Sequence, residues 1–261
     1  MRLLVFLLSL LSGPLHAVEV DVELALMVDV SRSMGPDELE LQRRGYAAAI
    51  VSDQVVGAIL NGFTGQIALT YVEWAGDASH RVVVPWTLID SREAAEQVAR
   101  TLTANFSFGM RRTSIAGAID FASADMAANE FEGLRRVIDI SGDGPNNQGR
   151  PVVEARDAAV AAGYVINGLP LMTHDELDNL WGVEDLDLYY QDCVIGGPGA
   201  FVIPVRDWKE FPLAVRRKIV LELAGPPERL TPARSGMTED GYDCLIGEKL
   251  RRQRERMWDE P

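Results

Sequence analysis

The period of the apolar positions changes repeatedly along the chain, and those changes mark out its elements. Val20 to Val30 begins as an alternation and becomes continuously apolar at Leu24-Ala25-Leu26-Met27-Val28, the pattern of a strand buried on both faces. Gly35-Pro36 then opens a helix predicted to reach about Leu60. Proline suits a first helical turn, and Leu39, Tyr46, Ala49, Ile50 and Ile59 recur near helical spacing before Asn61-Gly62. Gln66 to Trp74 and His80 to Trp86 are rich in β-branched and aromatic residues and flank Ala75-Gly76-Asp77-Ala78, which predicts a hairpin. Pro85 places its second strand at a sheet edge. Asp90, with Glu93 three residues on, predicts a capped helix over Ser91 to Leu102, and a further helix is expected from Ile115 to Asn129.

The second half alternates more regularly. A short strand is expected at Arg135 to Ile140, a helix at Pro151 to Ala162, strands at Tyr164 to Leu169 and Ala200 to Val205, and a helix at Asp207 to Leu223, capped by Asp207 and ended by Gly225-Pro226. Strand-helix-strand succession builds parallel sheets. The expected fold class is therefore α/β: a doubly wound, mostly parallel sheet with one antiparallel edge strand and helices on both faces. Beyond Pro226 no core-forming pattern returns until Leu250, where Arg251, Arg252, Arg254 and Arg256 crowd a short helix-like segment. That segment reads as a solvated helix on an acidic body, with an anionic docking site as the alternative.

The start of the chain has a different character. Met1-Arg2, the apolar run Leu3 to Leu11, the break at Ser12-Gly13-Pro14 and the small Ala17 form the pattern of a signal peptide cut between Ala17 and Val18. The run is too short for a membrane span, and charged residues interrupt every later apolar stretch. The expected organisation is a signal peptide over 1–17, a domain over 18–225 and a C-terminal extension over 226–261, in a secreted or periplasmic protein without a transmembrane anchor.

A formal charge of −14 opposes broad contact with phosphate backbones, so nucleic acid is excluded as the expected partner. The same acidity suits either a cation-attracting site or simple solubility. The two cysteines, Cys193 and Cys244, form a bridge if the chain is exported; buried free thiols are the other reading.

Chemistry concentrates in three loops. Asp29-Val30-Ser31-Arg32-Ser33 directly follows the buried first strand, which sets three short oxygen-bearing side chains where open α/β sheets bind ligands. A carboxylate ending an apolar strand needs a compensating partner, and a hard cation supplies one; a helix cap is the plainer use of such residues. Arg112-Thr113-Ser114-Ile115 enters a helix, so Thr113 either caps it or offers a hydroxyl ligand. Ser141-Gly142-Asp143-Gly144 follows the strand ending Ile138-Asp139-Ile140 and adds a second carboxylate at the same sheet end. His80, His174 and Gly196-Gly197-Pro198-Gly199 read as structural or turn residues, and Asn146-Asn147-Gln148-Gly149 as a polar turn that could shape the rim near Asp143.

In order and setting, these three loops resemble the von Willebrand factor A, or integrin I-like, family and its metal-ion-dependent adhesion site. The likeness in element order runs from about Val20 to Leu223. The segment Cys193 to Phe201 is further similar to a bacterial exported subgroup of undefined role. The resemblance implies that Asp29, Ser31, Ser33, Thr113 and Asp143 hold a divalent cation, Asp143 either directly or through water. Oxygen donors with two carboxylates favour magnesium, manganese or calcium over zinc, with magnesium first. The implied function is non-enzymatic: an exported adhesion or scaffold module whose metal shell is completed by an Asp or Glu carboxylate of a protein partner. A metal-dependent hydrolase of the envelope and a purely structural envelope protein are the alternatives. No G-x-S-x-G, H-E-x-x-H or evident nucleophile-base pair supports the hydrolase.

Overall fold

Val18–Asp29 forms strand β1, twelve residues whose last eight are all buried, because both faces of this central strand are covered by helices. The computed structural model describes residues 17–104, 109–173, 183–225 and 241–259. The expected signal peptide, apart from Ala17, and His174 lie outside these residues.

After β1 come helices α1 (Pro36–Ile50) and α2 (Asp53–Leu60), then strands β2 (Ile67–Trp74) and β3 (His80–Ile89) and helix α3 (Arg92–Ala104). Helix α4 (Ile115–Ala128), strand β4 (Phe131–Gly142), helix α5 (Val152–Ala161) and strand β5 (Val165–Pro170) complete the five-stranded sheet. Its order is β3-β2-β1-β4-β5, with every pair parallel except β2–β3. This is the expected doubly wound sheet with one antiparallel edge. A short helix α6 (Leu186–Tyr189) runs into a π-helical turn, Tyr190–Val194, followed by α7 (Phe211–Ala224) and α8 (Ile246–Asp259).

The two faces of β1 enter different cores. Val22, Leu24, Leu26 and Val28 pack with α1, α2, α3 and α7, whereas Ala25 and Met27 pack with α4, α5, α6 and the π-turn. The chain leaves β1 for β2 on one side and later reaches β4 on the other. The carboxyl ends of β1 and β4 therefore flank the switch point where doubly wound sheets open a crevice.

Several sequence expectations are corrected. The helix expected from Pro36 to Leu60 is two helices, because Ser52 turns its hydroxyl back to the Ala49 carbonyl at 2.7 Å and then caps α2 by accepting from Val55 N–H. Ser91, not Asp90, caps α3 through Ala94 N–H. Strand β4 is longer than Arg135 to Ile140, extending back to Phe131 where the backbone pairs with Val18. Ala200 to Val205 makes only isolated bridges, Val202 to Gly168 of β5 and Val205 to Leu171 just beyond it, instead of a ladder strand, Pro204 offering no N–H between them. Helix α7 starts at Phe211, since Asp207 accepts from Lys209 N–H in a preceding turn.

One cluster inside the first core is ionic. Lys218 of α7, 1% exposed, pairs with Asp139 of β4 and with Glu222 at 2.7 Å, and Asn167 of β5 donates to Glu222 at 3.0 Å. Burial pushes the Glu222 carboxyl from its ordinary 4.5 up to about 7, with Lys218 pulling the other way. A raised folded value means that this group's stabilising contribution is complete below about pH 4.5 and is lost as pH rises through about 7. The loss approaches roughly 3 kcal/mol. Glu222→Gln should flatten the stability profile between pH 5 and 8 while keeping Lys218 paired with Asp139. Urea denaturation at both pH values checks this, and parallel profiles for variant and wild type would reject it.

Candidate metal centre

The site begins with the turn after β1. Asp29 is fully buried; its Oδ1 accepts the Ser31 N–H at 2.7 Å, and Gln42 of α1 donates to its backbone carbonyl at 3.1 Å. Ser31, also buried, shares a hydroxyl contact of 2.9 Å with the exposed Ser33. Asp143 follows β4 across the switch point and is 3% exposed. The loop before α4 is hydrogen-bonded to the β1 turn, Met110 N–H donating to Val30 O at 2.7 Å. That pairing brings the buried Thr113 to the same sheet end.

The cap of α4 is Ser114, whose Oγ accepts Gly117 N–H at 3.1 Å. Thr113 is thereby released from capping. Its backbone pairs in both directions with Asn147: Thr113 N–H donates to Asn147 Oδ1 at 3.1 Å, and Asn147 N–H to Thr113 O at 2.9 Å. The turn Asn146 to Gly149 therefore forms the rim of the site. Asn146 is fully buried; it donates to Glu248 of α8 at 2.7 Å and accepts from Ala116 N–H at 3.0 Å.

The electrostatics of Asp29 are those of a carboxylate lacking a countercharge. Burial drives its pKa well above the ordinary range, and the nearby Asp143 carboxylate adds to the rise; hydrogen bonds from Ser31 and the Asp143 backbone oppose it without cancelling it. Among the described residues no lysine or arginine pairs with Asp29, and its Oδ2 is buried with no hydrogen bond of normal geometry. Two buried carboxylates, one of them incompletely satisfied, beside serine and threonine hydroxyls are a donor set that fits a hard divalent cation. Among the described residues no group of three or more His, Cys, Asp and Glu gathers as a metal cluster.

Tyr190, which the sequence reading passed over, belongs to this neighbourhood. A Cβ placed on Gly142 would lie 3.0 Å from both Asp29 Oδ2 and the Tyr190 hydroxyl, so that glycine leaves the space in which the two approach. Gly168 does the same beneath the ring, where a Cβ would meet Tyr190 at 2.6 Å. The hydroxyl is buried without a hydrogen bond among the described residues. Only its place in a π-turn two elements away brings it here, so local spacing held no signal for it. His80 is structural, as expected: it stacks on Phe121 at 4.6 Å, and burial holds its pKa below the ordinary value.

Cys193, on the π-turn behind Tyr190, is disulfide-bonded to Cys244, with Cα atoms 5.5 Å apart. The bridge ties down the segment leading into α8, which lies against the rim through Glu248 and through Arg251, whose Nη1 donates to Asn147 O at 3.0 Å. The C-terminal segment is thus a wall of the site.

No curated protein matches the sequence. Among solved structures, the fold is similar to proximal thread matrix protein 1 of the mussel byssus, at 12% identity and a TM-score of 0.56 over 80% of this chain and 49% of that one. It is similar to the pilus adhesin SpaC of Lactobacillus rhamnosus GG at 12% identity and a TM-score of 0.56, over 78% of this chain and 31% of that one. It is also similar to the SpRpn10 VWA domain at 11% identity and a TM-score of 0.52, over 76% and 95%. The chain thus spans about half of the mussel protein and under a third of the adhesin. A second structure of the mussel protein is described as having a zinc-occupied MIDAS motif. The fold is that of von Willebrand factor A domains. The family described as DUF1194, protein of unknown function, matches residues 19–227, most of the chain, and the chain belongs to that family.

Proposed function

We propose that this chain is an exported, metal-assisted protein-binding module. Asp29, Ser31, Ser33, Thr113 and Asp143 would hold one divalent cation, magnesium first, its shell completed by an Asp or Glu carboxylate of a partner protein. The cation would supply the positive charge that the buried Asp29 carboxylate lacks among the described residues. The observation that carries the reading is Asp29, fully buried, raised in pKa by burial and by Asp143, and left with an oxygen that has no hydrogen bond of normal geometry among the described residues.

The fold neighbours include an adhesin and a thread matrix protein, which supports binding over catalysis. The Cys193–Cys244 bridge supports an oxidising compartment. No helix among the described residues is long and apolar enough to cross a membrane. Within the site, the roles divide by charge. Asp29 and Asp143 neutralise, while Ser31, Ser33 and Thr113 orient neutral oxygens, Thr113 being held in place by its two backbone bonds to Asn147.

Calorimetric titration of magnesium into wild type and Thr113→Val tests the assignment. The substitution removes one neutral donor and keeps a similar volume, so affinity should fall about tenfold, less than on loss of a charged ligand. Equal affinity in the two proteins would remove Thr113 from the site, and the absence of heat in wild type would remove the metal. Capture of envelope proteins in magnesium and in chelator then separates a binding module from a merely structural role.

A further inference from the structure

A cavity of about 540 Å³ opens directly above Ser31, Ser33 and Thr113, and five arginines line it: Arg32, Arg111, Arg112, Arg251 and Arg254. Only one acidic side chain, Glu255, lines it with them. In a chain of net charge −14, this concentration of positive charge at one mouth is a local inversion of the surface. It is assembled from three separate segments: the β1 turn, the loop before α4, and α8. Clustered guanidinium groups repel one another, and a compact group drawn from three elements is expected where an anionic ligand offsets that repulsion.

Two details strengthen the point. Arg112 has a φ of +77°, the one non-glycine residue in the left-handed region among those described, and such backbone is strained for an arginine. Arg32 and Arg111 are exposed, and no carboxylate among the described residues pairs with either. The cavity also shows how it handles a carboxylate: Glu255 of α8 sits between Arg251 at 2.8 Å and Arg112 at 3.6 Å.

We propose that this cavity is a second subsite, which recognises a peptide segment carrying several clustered carboxylates. One carboxylate would reach the metal-site residues while its neighbours pair with Arg32 and Arg111. The metal half of this statement rests on the function proposed above; the arginine half does not. A volume of about 540 Å³ takes a few side chains and not a nucleic-acid duplex, and the net charge of −14 opposes binding of extended polyanions. Arginine forks pair in bidentate fashion with carboxylates, and the neighbouring site is built for a carboxylate as well.

The test uses the full chain and two fluorescein-labelled peptides, one with five consecutive glutamates and one with a single glutamate among glycines. Anisotropy titrations are run in magnesium and in EDTA, on wild type and on the double variant Arg32→Gln/Arg111→Gln. The pentaglutamate peptide should bind wild type at least tenfold more tightly than the single-glutamate peptide at low salt. That advantage should shrink to about twofold in the double variant and at high salt, where exposed charge pairs are screened. Magnesium affinity of the variant should not fall, which excludes damage to the metal site.

An arginine-dependent advantage that is the same in magnesium and in EDTA would sustain the subsite and overturn the metal reading. A magnesium-dependent advantage untouched by the arginine substitutions would do the reverse. No binding of the pentaglutamate peptide to wild type overturns the subsite, as does inorganic phosphate displacing it at equal concentration, which would make the cavity a general anion site.

Discussion

Asp29→Ala is expected to lose magnesium affinity by a hundredfold or more and, without metal, to be more stable than wild type. The two effects have one cause. Asp29 sits fully buried at the end of the central strand, with Ser31 N–H on one oxygen and no normal hydrogen bond on the other. Substitutions that only orient a ligand cost about 10–100-fold in metal affinity, so removing one of two charged donors should exceed that range. In the metal-free protein the same carboxylate is a liability, its ionised form disfavoured first by burial and then by Asp143. Its raised folded pKa means that stability present below the ordinary 3.8 is lost as pH rises through the raised value. The gap between apo Asp29→Ala and apo wild type should therefore widen from pH 4 to pH 7, reaching about 1 kcal/mol or more. Thermal melts in EDTA across that range, with a magnesium titration at neutral pH, read both effects. A variant that binds magnesium like wild type would remove Asp29 from the site; one that melts lower than wild type in EDTA at pH 7 would contradict the electrostatic argument.

How far the sequence could lead depended on whether the signal was local. The period of β1, the hairpin after α2 and the later strand-helix alternation are written in neighbouring residues, and they give the succession of strands and helices along the chain, apart from Ala200 to Val205, but not the spatial order of the strands. Asp29-Val30-Ser31-Arg32-Ser33 announced itself because a charged residue closes an apolar run, which is also a local fact. Where local signals competed, the reading slipped. Ser52 lies in an otherwise helical pattern, yet its hydroxyl has both a carbonyl and an N–H within reach, and it ends one helix and starts another. Pro204 interrupts what hydropathy alone presents as a strand.

What could not be read locally was decided by folding together distant parts. Tyr190 reaches Asp29 only because Gly142 and Gly168, on adjacent strands, leave room for its ring and hydroxyl. Asn147 matters because it meets Thr113, 34 residues away, and Asn146 because it meets Glu248 across 102 residues. The basic C-terminal run looked like a solvated helix for the same reason. Its arginines gain meaning only when the bridge at Cys244 and the contact at Asn147 set α8 beside the metal-site loops.

That dependence yields the second large effect: reducing the Cys193–Cys244 bridge, or replacing both cysteines by serine, should release α8 while leaving the metal-site residues in place. Isolated helices of this length are marginal in water, and α8 keeps few apolar contacts of its own. Tyr242, Cys244 and Ile246 supply most of them, and all three lie at or before its first turn. Its remaining anchors are polar: Glu248 to Asn146, and Arg251 to Asn147. Bridging residues 51 apart removes unfolded-state entropy worth up to ~4 kcal/mol in the chain-entropy model, which bounds the loss of global stability. The nearer consequence is local, because undocking one terminal helix costs less than unfolding the sheet. Amide exchange over 246–257 should accelerate towards the rate of an unprotected chain, while β1 and β4 keep their protection. Magnesium affinity should change little, since Asp29, Ser31, Ser33, Thr113 and Asp143 all lie outside the released segment. Binding of the pentaglutamate peptide should weaken, because Arg251 and Arg254 leave the cavity with the helix. Unchanged exchange over α8 after reduction would show that polar contacts alone hold the wall, and that the bridge does not control access to the arginine-lined mouth.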